Sequence, residues 1–350
     1  MGDAGRGLVA GKDDTVAADA VSAPGLASAA AVDLAIETRE LAKLYGTATA
    51  LRDLTLSVRR GEVFGFLGPN GAGKTTALKL LLGLTKPTSG AGDVLGAPLG
   101  DLATRRRIGY LPELFRYQEW LDAREVLTFH AQLLALPRAG RPTEIERVLE
   151  IAGLSARADD RVGTYSKGMQ QRLGLAVALL GSPQLVFLDE PTSALDPVGR
   201  HDVRELIDGL RRTGTTVFLN SHLLTEVERV CDRIAIVDHG GVVASGSLAD
   251  LLGTSSAVRV KLAAIGRTVC ELLVRIGARA ESGAPTNGAP AWYLLAVQHL
   301  DVIPDIVRDL VGAGAAVHAI EPQHATLEER FLELLSPKAS DACDRVADPS

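Results

Sequence analysis

Cysteine is scarce in this chain of 350 residues: Cys231, Cys270 and Cys343 stand far apart and form neither a CxxC pair nor a metal-ligand cluster. This excludes a disulfide-stapled scaffold and reads as free thiols in a reducing compartment. Long hydrophobic runs are missing as well. A bilayer-spanning helix needs about 20 apolar residues, and the longest candidate, Leu173 to Leu188, is broken by Gly181, Ser182, Pro183 and Gln184. The chain itself is expected not to cross a membrane. There is no basic excess, since 37 Lys and Arg against 43 Asp and Glu leave a net charge of −6. Wrapping a polyanion by phosphate neutralisation is disfavoured, and no nucleic acid partner is expected. No internal repeat or heptad array is visible. Residues 1–33, rich in Ala, Gly and Asp, lack the positive start and compact apolar segment of a secretory signal. Gly2 is not followed by the Ser or Thr that myristoylation wants at position 6, where Arg6 stands. A disordered tail is expected there.

What is present starts with Gly68-Pro69-Asn70-Gly71-Ala72-Gly73-Lys74-Thr75, a GxxxxGKT loop between the apolar run Val63 to Leu67 and a helical stretch from Thr76 to Leu84. Three glycines let the backbone turn so that successive N–H groups face phosphates, and the following helix aims its positive dipole end at them. The loop through Thr76 is therefore expected to hold a nucleoside triphosphate. Lys74 reaches the β- and γ-phosphates, and Thr75 ligates Mg²⁺.

From Ile36 to about Gly246, short apolar runs alternate with helical periodicity. Leu54 to Val58 and Val63 to Leu67 read as strands, and Leu185 to Leu188 and Thr215 to Leu219 as buried parallel strands. Ala123 to Leu136 and Met169 to Leu180 read as helices. This is an α/β layer architecture. After Gly246 the pattern changes to half-exposed strands at 258–262, 292–297 and 317–320, with helices at 268–276, 303–311 and 326–335. The expected organisation is a tail at 1–33, a nucleoside triphosphate-binding domain at 34–247, a small α+β accessory domain at 250–336 and a second tail at 337–350.

Leu185-Val186-Phe187-Leu188-Asp189-Glu190-Pro191 is an apolar strand ending in two adjacent carboxylates, which alternation sends in different directions. Asp189 can hold Mg²⁺ through water, and Glu190 can polarise a water that attacks the γ-phosphate. Upstream lies Tyr165-Ser166-Lys167-Gly168-Met169-Gln170-Gln171-Arg172; downstream lie Ser193-Ala194-Leu195-Asp196 and Asn220-Ser221-His222. In this order and spacing, residues 36 to 246 resemble the ATP-binding cassette (ABC) family: Walker A, Q-loop region, signature, Walker B with glutamate, D-loop and switch histidine.

The resemblance implies a P-loop NTPase fold with a helical subdomain, ATP and Mg²⁺ as ligands, and roles for further residues. Tyr45 stands where the family stacks an aromatic on adenine. Ser166 and Gly168 would face the γ-phosphate of ATP held by a second cassette, a homodimer partner, and Asp196 would link the two sites. His222 would contact the γ-phosphate. Two departures stand out. The Q-loop, usually glutamine, here carries Glu113 after Ile108-Gly109-Tyr110-Leu111-Pro112, with Gln118 five residues on; a carboxylate can still ligate Mg²⁺ but adds negative charge. The signature reads YSKGM in place of LSGGQ.

With these departures, the appended domain and the segment Thr326 to Leu332, the chain resembles ATPase subunits of bacterial exporters for drugs, antibiotics and related amphiphiles. That implies a peripheral ATPase on the cytoplasmic face of the membrane, working with a separate permease. Arg116, Tyr117 and Trp120 are candidate docking residues. The alternative is a soluble cassette ATPase acting on ribosomes or DNA. It is opposed by the single set of motifs and by only about ninety residues between Lys74 and Ser166, too few for a long coiled coil. A dead-site regulatory protein is opposed by Lys74, Asp189, Glu190 and His222 standing together.

Overall fold

A computed structural model of the chain describes residues 33–335 apart from 194, 253–255, 264, 282–289, 298–299 and 325. The expected tails, Asp33 excepted, lie outside the described residues. In chain order come β1 (Leu34–Tyr45), β2 (Ala48–Arg59), β3 (Val63–Leu67), α1 (Lys74–Leu81), β4 (Ser89–Val94), β5 (Ala97–Pro98), α2 (Leu102–Arg105) and β6 (Ile108–Leu111). Next are α3 (Ala123–Leu133), α4 (Arg141–Ile151), α5 (Lys167–Ala178), β7 (Leu185–Asp189), α6 (Pro197–Arg212), β8 (Thr216–Asn220), α7 (Leu224–Val230), β9 (Arg233–Asp238) and β10 (Gly241–Ser247). Last are α8 (Leu248–Leu252), β11 (Ser256–Ala263), α9 (Arg267–Arg275), β12 (Arg279–Ala280), β13 (Ala291–Val297), α10 (Ile303–Gly312), β14 (Ala316–His324) and α11 (Leu327–Leu335).

The central sheet runs β10-β9-β3-β8-β7-β6, parallel except for β10, and a smaller antiparallel sheet runs β2-β1-β4-β5. Every residue of β3, β7 and β8 is buried, as expected of parallel strands covered on both faces. Their period of two divides the core. Val63, Leu67, Val186, Leu188, Val217 and Leu219 point to the helical side, while Phe64, Phe66, Leu185, Phe187 and Phe218 point to a core shared with β1, β2 and α1. Phe218 sits at the centre of that second core, its ring centroid 5.3 Å from those of Phe66 and Phe187 and 5.8 Å from that of Phe64. Burying each such ring stabilises the fold by about 1.5–3 kcal/mol.

The helices on the other side begin at identifiable caps. Asp122 and Glu125 form a capping box at α3, Ser166 caps α5, and Asp196 caps α6 just before Pro197. The third sheet, β12-β13-β11-β14, is antiparallel and belongs to a β-α-β-β-α-β run from β11 to β14. Alternation along β11 puts Val258, Val260 and Leu262 into a separate core with Val269, Leu272 and Leu310. Then α11 leaves that core and adds Leu327, fully buried, and part of Phe331 to the helical core of the central sheet. Among the described residues no helix is long and apolar enough to cross a membrane.

Candidate active site

The site gathers at the C-terminal ends of four parallel strands, where open α/β sheets hold their ligands. The GxxxxGKT loop leaves β3, Glu113 follows β6, Asp189 and Glu190 end β7, and Asn220 and His222 end β8. A cleft of about 580 Å³ is walled by Gly68 to Gly71, Gly73 to Thr76, Glu113, Glu190, Asn220 to His222, Ala50, Leu224 and Phe331. Glu113 therefore stands in the cleft wall, and Gln118 does not.

The loop's geometry depends on glycine. Gly73 has φ +102°, and a Cβ there would come within 2.5 Å of the Ala50 carbonyl oxygen. From Gly73 the chain enters α1 with no acidic residue in its first turn, leaving the positive helix end for an anion. Lys74 donates to the carbonyl oxygens of Gly68 at 2.6 Å and Pro69 at 3.1 Å, so its ammonium lies across the loop. Burial lowers its pKa, opposed by the charges of Glu190, Asp189 and Glu113.

The two carboxylates take different partners. Asp189 is 5% exposed and accepts a hydrogen bond from Asn220 Nδ2 at 2.5 Å. Burial raises its pKa, the Asn220 bond opposes this, and the nearby Glu113 charge adds to it. Glu190 lies just past the strand at φ +52°, a left-handed turn that costs a non-glycine residue about 1–2 kcal/mol. Its N–H donates to the Asn220 carbonyl at 2.9 Å, and its own carbonyl accepts from Ser193. The turn aims its side chain at the β8 end, where Oε1 lies 2.8 Å from His222 Nδ1. The other oxygen, Oε2, is buried without a hydrogen-bond partner among the described residues, as is Asn220 Oδ1. Two orphaned acceptors beside Lys74 suit a bound group that brings donors or positive charge.

Tyr45 lies outside this wall, half-exposed at the end of β1 with the Lys43 ammonium 5.0 Å from its ring centre. Ser166 and Gly168 line a separate cleft with Lys167, Met169, Leu195 and Asp196. There Ser166 accepts from the Met169 N–H at 3.2 Å, and Asp196 accepts from the Gly199 N–H at 2.8 Å. Both residues are thus helix caps in the single chain. Motif reading places Asn220 and Gln171 within motifs but gives neither a role: Asn220 orients Asp189, and a polar residue closing an apolar parallel strand is a usable signal for it. The buried amide of Gln171 donates to the Pro191 carbonyl at 3.0 Å and ties α5 to the turn after Glu190.

The family model described as ABC transporter matches residues 51–193. An uncharacterised ABC transporter ATP-binding protein of Nostoc sp. (strain PCC 7120) is 46% identical over 235 residues, which cover 65% of this chain and 70% of the relative. The chain belongs to the ABC transporter ATP-binding protein family. It is an ATP-binding P-loop cassette and an ATPase. The linearmycin resistance ATP-binding protein LnrL of Bacillus subtilis is 32% identical over 310 residues, 85% of this chain and 97% of its own length. Among solved structures, a dimeric ATP-binding cassette in a post-hydrolysis state with ADP and Pi aligns with TM-score 0.56 and 26% identity. It covers 61% of this chain and 99% of that one.

Proposed function

We propose that this ABC cassette hydrolyses ATP to energise a separate membrane permease, at the cytoplasmic face of the membrane, for export of drug-like, antibiotic or other amphiphilic substrates. The observation that carries hydrolysis is Glu190: one carboxylate oxygen bonded to His222, the other buried and unpartnered among the described residues, in the wall of the phosphate-loop cleft. In this reading the loop from Gly68 to Thr76 holds the triphosphate, with Lys74 leaving its own loop carbonyls for the β- and γ-phosphates. Glu190 takes the proton of the attacking water, and His222, held through Nδ1, turns its other nitrogen toward the γ-phosphate. The exposed ring of Tyr45 serves as a platform for adenine.

Mg²⁺ fits the donors present. Thr75, Asp189 through water and Glu113 would hold it, and when bound it would neutralise charge shared by the β- and γ-phosphate oxygens. Among the described residues no group of three His, Cys, Asp or Glu forms a cage by itself. The nucleotide's phosphates would complete the coordination.

Ser166 and Gly168 sit in their own cleft, outside the one around Lys74. This supports a second cassette, a homodimer partner, completing each site. A permease partner is supported by large apolar side chains left in water after the Q-loop position: Leu114 is 86% exposed and Trp120 70%. Of the three docking candidates, Arg116 and Trp120 are exposed, whereas Tyr117 is half-buried against Phe115 and edge-on to His130. Drug-like cargo is supported by the nearly full-length match to a linearmycin resistance ATP-binding protein.

The test is Glu190→Gln in the full chain. ATP binding should persist, turnover should stop, and a dimer should accumulate with ATP in size-exclusion chromatography. Turnover near the wild-type rate would remove Glu190 as the base. Affinity purification from membranes should return a polytopic protein, and recovery of ribosomal or nucleoid partners alone would overturn the transport reading.

A further inference from the structure

Among the residues of the cleft wall that no cassette motif supplies, Phe331 comes from farthest along the chain. Phe331 belongs to α11, the last helix among the described residues, yet it lines the same cleft as Lys74, Glu190 and His222. It arrives there because α11 packs on α7, the helix that begins two residues after His222.

Within its own loop, the start of helix α7 is held by one side-chain bond, from the Leu223 N–H to Ser221 Oγ at 3.1 Å. The helix is seven residues long, and the Leu223 side chain at its N-cap makes no capping bond. So short a helix is fixed by tertiary contacts rather than by its own propensity. On one flank Arg204 donates to both carboxylate oxygens of Glu226 at 2.9 and 2.7 Å. On the other flank stands α11. The Leu327 N–H donates to the Glu228 carboxylate at 3.3 Å, the Leu327 side chain is fully buried, and Phe331, four residues on, lies on the same helix face. Leu224, the first residue of α7, lines the cleft as Phe331 does.

We propose that Phe331 is a positioning residue for ATP hydrolysis. Seated beside the start of α7, it holds the loop carrying His222 so that the imidazole stays against Glu190. Helix α11 thereby sets the rate of hydrolysis and leaves ATP affinity alone. This rests on the hydrolytic reading of Glu190 and His222 given above.

The experiment compares steady-state ATP hydrolysis by the full-length wild type, Phe331→Ala, Phe331→Leu, His222→Ala and the Phe331→Ala/His222→Ala double variant. Phe331→Ala should lower kcat about tenfold with KM for ATP within about twofold, and Phe331→Leu should recover most of the loss. In the His222→Ala background the second substitution should change the rate by less than about twofold, because residues acting through one group are not additive. Three results would overturn the role: wild-type kcat in Phe331→Ala, a raised KM at constant kcat, or the same fractional loss with His222 absent. Should Phe331→Ala fail to fold, Phe331→Leu and Phe331→Met decide by the same criteria. A wild-type protein that binds ATP without hydrolysing it would instead sink the hydrolytic reading itself.

Discussion

Replacing Asp189 by Asn should make the nucleotide-free protein more stable while abolishing its ATPase activity. The carboxylate is 5% exposed and receives one side-chain hydrogen bond, from Asn220 at 2.5 Å. Burial is the largest influence on it and raises its pKa; the Asn220 bond lowers it, the Glu113 charge raises it, and the Glu113 N–H and the Lys74 ammonium lower it, with burial prevailing. An asparagine keeps the shape and an oxygen to accept from Asn220, and it removes a desolvated charge near the Glu113 carboxylate, a gain larger than the lost attraction to Lys74. The gain is about 1–2 kcal/mol at neutral pH. With an unfolding entropy of about 2.1 cal/mol/K per residue, 1 kcal/mol is worth about 1.4 °C in a chain of 350 residues, and Tm should rise by roughly 1–3 °C.

The pH dependence fixes the cause. A carboxyl whose folded pKa is raised contributes stability that is fully present below its ordinary value of 3.8 and is lost as pH rises through the folded pKa. Neutral wild-type protein has therefore lost that contribution, and the variant, which has nothing to titrate there, has not. The Tm difference should be positive at pH 7 and shrink toward zero as pH approaches 3.8. Differential scanning fluorimetry across that range reads it directly. A variant melting at or below wild type at pH 7, or a difference indifferent to pH, would refute the argument that desolvation dominates at Asp189.

Two glycines of the phosphate loop separate space from backbone strain. Gly73→Ala forces a Cβ to 2.5 Å from the Ala50 oxygen at φ +102°, whereas Gly71→Ala meets nothing within 4 Å at φ +84°. Gly71→Ala should cost about 1–2 kcal/mol by chemical denaturation, and Gly73→Ala clearly more, with loss of ATP binding by calorimetry. Arg204→Met should cost about 3 kcal/mol by leaving the Glu226 charge buried and alone, and adding Glu226→Leu should recover most of it. Equal costs at the two glycines, or no recovery in the Arg204/Glu226 pair, would contradict these readings.

The parts of this molecule legible in its sequence are those where local period and local chemistry agree. Val63 to Leu67 and Leu185 to Asp189 announce buried parallel strands because both faces are covered, and Gly68 to Thr75 announces a phosphate loop because strand, glycines and helix follow in order. Alternation along 258–262 likewise marks β11, whose inward Val258, Val260 and Leu262 carry the third core. What a linear pattern does not contain is which core an element will cover. The apolar spacing of Leu327, Phe331 and Leu334 is that of any amphipathic helix, and it fits the accessory core as well as the cassette's. The choice is made by α7, a short helix without a side-chain cap whose flank offers the Glu228 carboxylate to the Leu327 N–H, which has no intrahelical acceptor at the start of α11. Both helices have an incomplete end or face, and each completes the other. That mutual need brings the last helix of the described residues to the wall of the ATP cleft.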